Sequence, residues 1–226
     1  MKKQICLGIA LLLCFFATTA SAQTPPSKYP IKAYDGEPIA NFDLASSLVA
    51  RLDKLPGKVP VGNVQGDVTL YQFYDLNCPY CRAAAADIDA LVRADKKLKL
   101  VFVPYAVLSI ASVRGAMVEI AAARQLSPQQ YLDFHRRIYA NRGMIDAPKV
   151  LAVAKDMGLD EQKLAAVANT KETLDVLRQS ATFGGDAGLA VTPAYVIDGV
   201  AIIGHPGLKP LEAVIGAVRT CGKVAC

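Results

Sequence analysis

The 226-residue sequence predicts an α/β protein: a mixed sheet with a helical subdomain inserted into it and an N-terminal helical extension. Three observations carry this. Two β-branched, apolar runs at 68–75 and 98–104 flank a helical stretch, a block of helical patterns spans about 107–190, and a hairpin with a final helix follows. Early strands joined by a helical crossover cannot pair like a hairpin, so the sheet is mixed. The block is too long for a crossover and reads as an insertion.

At the N-terminus, Lys2 and Lys3 precede an apolar run at 5–17, and Ala20-Ser21-Ala22 follows with small residues at alternate positions. This is the layout of a secretory signal peptide over 1–22, with cleavage before Gln23. A membrane anchor is the alternative, but the run falls short of the roughly 20 residues a spanning helix needs. A lipid anchor on Cys14 is disfavoured by the large Leu11, Leu12 and Leu13 in front of it. Removal of the segment takes Cys6 and Cys14 with it. Cys78, Cys81, Cys221 and Cys226 remain, an even set in an oxidising compartment. The formal net charge is +5, two units of which belong to Lys2 and Lys3, too mild to suggest nucleic acid or an anionic membrane surface as partner. With 53% hydrophobic residues the chain fills one core, and disorder is excluded.

Residues 23–38 lack periodicity and read as a loose leader. Phe42, Leu44, Leu48, Val49, Leu52 and Leu55 then follow helical spacing until Pro56-Gly57. This helix either packs on the protein's own core or joins subunits into a homo-oligomer. It completes an extension (23–61) ahead of the domain at 62–226. The first strand is apolar on both faces, as a central strand should be. Asn77 can cap the next helix, which has Pro79 at its first position and runs to about Arg93. Helices are expected at 110–125, 128–141, 148–157, 161–168 and 171–183, broken at Gly143, Gly158 and Gly184-Gly185. The Asp198-Gly199 turn joins the hairpin strands 194–198 and 200–203, and a helix at 208–219 closes the pattern.

The chemistry rests on Cys78-Pro79-Tyr80-Cys81. Two cysteines three apart at a helix start bring their sulfurs together, and the free N–H groups there favour thiolate on the first. Cys78 is therefore the expected nucleophile and Cys81 the resolving thiol, exchanging disulfides through a mixed disulfide. Zinc is the first alternative, with Cys221, Cys226, His135 and His205 as further ligands. A purely structural disulfide is the second, although it would close too short a loop to stabilise much. Neither a metal nor a cofactor is expected. Thr192-Pro193 precedes the hairpin, where proline is normally excluded from a sheet interior. A cis bond there would turn the Thr192 backbone toward the cysteines as an edge for a substrate strand. Pro79, Tyr80 and Thr192 are thus the expected substrate contacts, and Pro193 joins Cys78 and Cys81 in the expected catalytic set.

Phe73-Tyr-Asp-Leu-Asn-Cys78-Pro-Tyr-Cys81, with Val191-Thr192-Pro193-Ala194 far downstream, resembles the DsbA-like group of bacterial periplasmic oxidoreductases, in wording nearest the ScsC-like and Com1-like members. The resemblance covers about 62–219. It implies a thioredoxin fold, Cys78 as nucleophile, Cys81 as resolving thiol and a cis bond before Pro193. It also implies a periplasmic location, exported protein substrates and a membrane or periplasmic redox partner. Two departures stand out. Many relatives carry an acid six positions before the nucleophile, where this chain has Gln72, so proton transfer would fall to water or Asp75. Tyr80 stands where strongly oxidising members have His, which implies a less stabilised thiolate and a milder oxidant. Cys221 and Cys226 match nothing in the family core and read either as a local structural disulfide or as a second redox pair. His135 is expected at the surface or as a cap and His205 in a turn, neither catalytic. The expected function is thiol-disulfide exchange, with the direction, oxidase or isomerase/reductase, left open. A copper-handling thiol protein is the alternative from a different class.

Overall fold

The computed structural model describes residues 27–226, so the signal peptide expected at 1–22 lies outside the described residues. In chain order the elements are β1 (Asn41–Asp43), α1 (Ser46–Lys54), β2 (Val59–Gly62), β3 (Val68–Tyr74), α2 (Pro79–Ala94) and β4 (Leu98–Pro104). The insertion contains α3 (Ile110–Ala123), α4 (Pro128–Ala140), α5 (Ala147–Asp156), α6 (Glu161–Ala168) and α7 (Lys171–Asp186). The hairpin β5 (Ala194–Ile197) and β6 (Val200–Ile203) and helix α8 (Leu208–Cys221) follow. The strands form one sheet in the order β1-β6-β5-β3-β4-β2, in which only β3 and β4 run parallel. Among the described residues no helix is long and apolar enough to cross a membrane.

Strand alternation sorts side chains to the two faces of this sheet. Leu70, Tyr74, Leu100, Phe102, Tyr195 and Ile202 point to one face, which α2, α4 and α8 cover with Ile88, Leu91, Phe134, Leu211 and Ile215. Phe73, Val101, Val103, Ala194 and Val196 point to the other, under Leu52 of α1 and Phe183 of α7. The insertion is therefore not wholly separate from the sheet, because α7 returns to roof it. Each of its five helices starts on a side-chain cap, from Ser109, Ser127, Asp146, Asp160 and Thr170 in turn. Such caps stabilise by about 1 kcal/mol apiece and explain why the block breaks into short helices where it does. The Asp198-Gly199 turn has positive φ at both positions, +48° and +74°, as a two-residue hairpin requires.

The segment before β3 differs from expectation. Phe42 lies in β1 rather than in the helix, and the chain supplies both edge strands of the sheet, β1 against β6 and β2 against β4. These strands have three and four residues, too few for alternation to stand out. From Ser27 onward the leader is pinned rather than loose. The buried Asn41 side chain donates to Ser27 Oγ and to the Tyr29 and Ile39 carbonyls, and accepts from the Tyr29 N–H. Leu44, Leu52 and Leu55, in and around α1, are buried within the chain, and Leu48 and Val49 of the same face are half-buried against that cluster. Gly184 and Gly185 do not break α7 but lie within it. A Cβ on Gly184 would fall 2.4 Å from the Tyr105 ring, so this glycine serves close packing.

Candidate active site

Strand β3 delivers the chain through Asp75-Leu76-Asn77 to the start of α2. Cys78 rather than Asn77 is the N-cap, with its sulfur accepting from the Cys81 N–H at 3.4 Å. Asn77 is drawn away by the insertion: its amide donates to Ser112 Oγ and the Ile145 carbonyl, and its side-chain oxygen accepts from the Ile145 N–H at 2.6 Å. Both thiols are unpaired. Hydrogen bonding from the Cys81 thiol lowers the Cys78 pKa from 9.0 to about 6, against a burial cost, with help from the Thr192 side chain and the Cys81 and Tyr80 N–H groups. Burial foremost, and then the bond to Cys78, pushes the Cys81 thiol far up. The two sulfurs are thus driven apart in acidity, one toward thiolate at neutral pH and the other locked as thiol.

The Thr192–Pro193 peptide is cis. The Thr192 carbonyl accepts from the Cys78 thiol at 3.0 Å, which brings the downstream motif onto Cys78. Tyr80 stands out at 72% exposure beside a Cys78 that is 3% exposed. Pro79 is the first residue of α2, where its missing N–H costs nothing.

Asp75 is held by hydrogen bonds on both carboxylate oxygens. Its carboxylate accepts from the Asn77 N–H, Ser112 Oγ and the N–H groups of Val107 and Leu108, all within 2.9 Å. Four donors on two oxygens make it the knot between β3, the Cys78 turn and the insertion. Gln72 is buried on the α2 face, and its side-chain oxygen has no hydrogen-bond partner among the described residues.

His135 differs from its sequence reading, whereas His205 lies in the turn after the hairpin as expected. His135 is buried, its Nδ1 2.7 Å from a fully buried Glu119 that also accepts from the Tyr74 hydroxyl. His205 bridges Tyr195 and Asp87, 2.8 Å from the Tyr195 hydroxyl and 2.9 Å from Asp87 Oδ2. No sequence signal marks either set, because the partners lie on different elements and up to 118 positions apart. Cys221 and Cys226 form a disulfide at the end of α8. Just before it, Arg219 pairs with Asp67 and Asp95, at the start of β3 and the end of α2. That places the disulfide at the opposite end of β3 from Cys78, so the two cysteine pairs have no direct contact. A cleft of about 880 Å³ is lined by Asp43, Asp53, Asp67 and Asp198, with no cysteine among its lining residues.

The family model described as Thioredoxin matches residues 54–217. Among solved structures, a thioredoxin-like oxidoreductase from Silicibacter pomeroyi DSS-3 is 30% identical with a TM-score of 0.68, over 75% of this chain and 98% of that one. The thiol-disulfide exchange protein alpha-DsbA2 from Wolbachia pipientis (22% identity, TM-score 0.68) aligns over 76% of this chain and 94% of its own. The catalytic domain of Proteus mirabilis ScsC (19%, 0.67) aligns over 76% and 97%. At these lower identities the last two speak for the fold alone. A comparison with curated proteins gives no match.

Proposed function

Since the chain belongs to the thioredoxin family, we propose that it exchanges disulfides with exported protein substrates through Cys78 and Cys81. The observation that carries this is the split in acidity within the pair, Cys78 lowered to about 6 and Cys81 pushed up. The Cys78 thiolate attacks a substrate disulfide, forming a mixed disulfide and expelling one substrate thiolate. Cys81, once deprotonated, attacks Cys78 Sγ, closes the Cys78–Cys81 disulfide and expels the second. Run backwards, the same steps oxidise a substrate dithiol.

Protein substrates are favoured by the exposed apolar residues tied to this end of the molecule. Tyr80 belongs to the motif, and Val191 adjoins the Thr192 that holds the nucleophile. Val107 and Leu108 hang on Asp75, and Met144 precedes the Ile145 that binds Asn77. Exposed apolar residues gathered around a reactive atom suit an unfolded or loosely folded partner. In this reading Tyr80 and Thr192 touch the substrate, Pro79 sets the helix start, and Pro193 holds Thr192 against Cys78. A second redox protein in the same compartment resets the pair, and the Cys221–Cys226 bond clamps the C-terminus.

The export reading rests on residues 1–22 and predicts a mature chain beginning at Gln23 when the full sequence is expressed with a bacterial export system. The exchange reading is tested by insulin reduction and by refolding of a scrambled disulfide substrate. Wild type should catalyse at least one of them and Cys78→Ser neither. Wild type inert in both assays refutes the reading. The reduction potential of the pair, with its redox state in the cell, decides direction.

A further inference from the structure

Cys81 must lose its proton to resolve a mixed disulfide, and must regain one when it leaves as thiolate in the reverse direction. Its thiol is fully buried. The polar groups around it that could carry a proton are few. Gln72 does not titrate, Asp75 is saturated by four donors, the Thr192 side chain is shared between the two sulfurs and leads to no titrating group, and the Tyr139 hydroxyl is committed to the Asp75 backbone carbonyl at 3.0 Å. Tyr195 differs from all of these, because its hydroxyl is bonded to a group that titrates.

We infer that Tyr195, His205 and Asp87 form a proton relay between the Cys81 thiol and solvent. This rests on the exchange reading of Cys78 and Cys81. Tyr195 is the cross-strand partner of Gln72 in the β3–β5 register and lies on the sheet face that packs against Cys81. The carboxylate of Asp87 can only accept, so His205 carries its proton on Nε2 and donates it at 2.9 Å. A neutral ring so arranged leaves Nδ1 as acceptor, and Tyr195 donates to it at 2.8 Å. Side-chain exposure rises along this line, from a fully buried Tyr195 through 14% at His205 to 38% at Asp87, so its outer end reaches water. The Leu208 N–H also donates to Asp87 Oδ2 and keeps the carboxylate in place.

The transfer balances without a co-reactant. In resolution the Cys81 proton passes, directly or across one water, to the Tyr195 oxygen as Tyr195 hands its own proton to His205 Nδ1. The imidazolium so formed is neutralised by Asp87 and releases its Nε2 proton to solvent. The Cys81 thiolate then attacks Cys78 Sγ and the substrate thiolate leaves. The reverse reaction runs the same line inward. The charged and titratable groups facing Tyr195 are Cys81 and Cys78 at the start of α2, Asp87 further along it, and His205 ahead of α8. Burial first, and then the charges of Cys81, Asp87 and Cys78, hold the Tyr195 proton on, so Tyr195 serves as a conduit and not as a phenolate base. His205 and Asp87 act through Tyr195 and are positioning residues, and none of the three touches the substrate.

The test uses the full mature chain with oxidised glutathione as probe. Two rates are followed from about pH 5 to 9 in wild type, Tyr195→Phe, His205→Gln and Asp87→Asn. One is formation of the Cys78–glutathione mixed disulfide, the other its resolution by Cys81. The expected result is a resolution step slowed roughly tenfold or more in Tyr195→Phe and His205→Gln, with its pH profile displaced and the first step unchanged. A merely structural role would slow both steps together. Resolution rates and profiles like wild type in all three variants overturn the relay while leaving exchange intact. A wild type that never forms the mixed disulfide overturns the exchange reading instead. Should Tyr195→Phe not fold, His205→Gln and Asp87→Asn, whose side chains reach the surface, decide for or against the relay by the same two rates.

Discussion

The Cys78 thiol donates to the Thr192 carbonyl across 3.0 Å, joining residues 114 positions apart. The carbonyl is a partner of the thiol form only, whereas the N–H groups of Tyr80 and Cys81 and the Cys81 thiol serve the thiolate. Ionisation of Cys78 therefore leaves the Thr192 carbonyl without this donor, and the predictions below turn on that sulfur and the groups around it.

The first concerns pH. Reaction of reduced protein with iodoacetamide should follow a titration with midpoint near 6, against an ordinary thiol value of 9.0. Because the folded value is depressed, this group's contribution to the stability of the reduced fold is complete above about pH 9 and is lost as pH falls through about 6. Melting temperature of the reduced protein should decline over that window, and the oxidised protein should lack this component. An alkylation midpoint above 8 would contradict the geometry of the helix start.

Cys81 is expected to be silent toward the same reagent. One thiol should be modified in the native reduced protein at neutral pH and two after unfolding, by mass spectrometry, because burial holds the Cys81 proton on. Cys81→Ala should accumulate mixed disulfides on Cys78, visible as mass adducts that a reductant removes.

Replacing Tyr80 by His places a cation beside the thiolate. Tyr80→His should lower the alkylation midpoint by about one unit. It should also raise the reduction potential by about 30 mV, since that shift and 1.4 kcal/mol correspond in a two-electron couple. No change in either quantity would show that position 80 does not tune the pair.

Asp75→Asn keeps the shape of the knot but turns one acceptor oxygen into a donor that faces the N–H or O–H groups now bonded to it. Leaving two of these donors unmet, most of them part-buried, costs about 2 kcal/mol, read as a lower urea midpoint. Exchange activity per folded molecule should drop too, because the Val107-Leu108 segment loses its anchor.

The C-terminal disulfide should be separable from the chemistry. Closing a loop with a separation of 5 residues stabilises by about 2 kcal/mol in the chain-entropy account. A Cys221→Ser, Cys226→Ser double variant should then melt about 4–8 °C lower. Insulin reduction and the pair's potential should stay at wild-type values. A changed potential would make this a second redox pair.

The long elements were legible because their patterns repeat. Strand β4 and helix α6 have the limits that hydrophobic periodicity and flanking breakers predict, and β3 and α2 fall within a residue of theirs. Cys78 and Cys81 were legible because helix geometry alone brings residues three apart together. Edge strands β1 and β2 were not, since three or four residues give alternation no chance to repeat. Gly184 read as a breaker because sequence shows the missing side chain and not the Tyr105 ring that takes its space.

By itself, then, the sequence determined the α/β layout, the helical insertion, the Cys78–Cys81 pair at a helix start and the turn at Asp198-Gly199, all of them consequences of local spacing. Tertiary structure decided what surrounds those sulfurs. It takes Asn77 from the helix cap to the insertion, saturates Asp75, buries His135 on Glu119 and lays His205 between Tyr195 and Asp87. The physical reason is common to all four. A polar side chain is defined by the partner that satisfies it once water is excluded, and these partners arrive on other elements, where spacing along the chain carries no record of them.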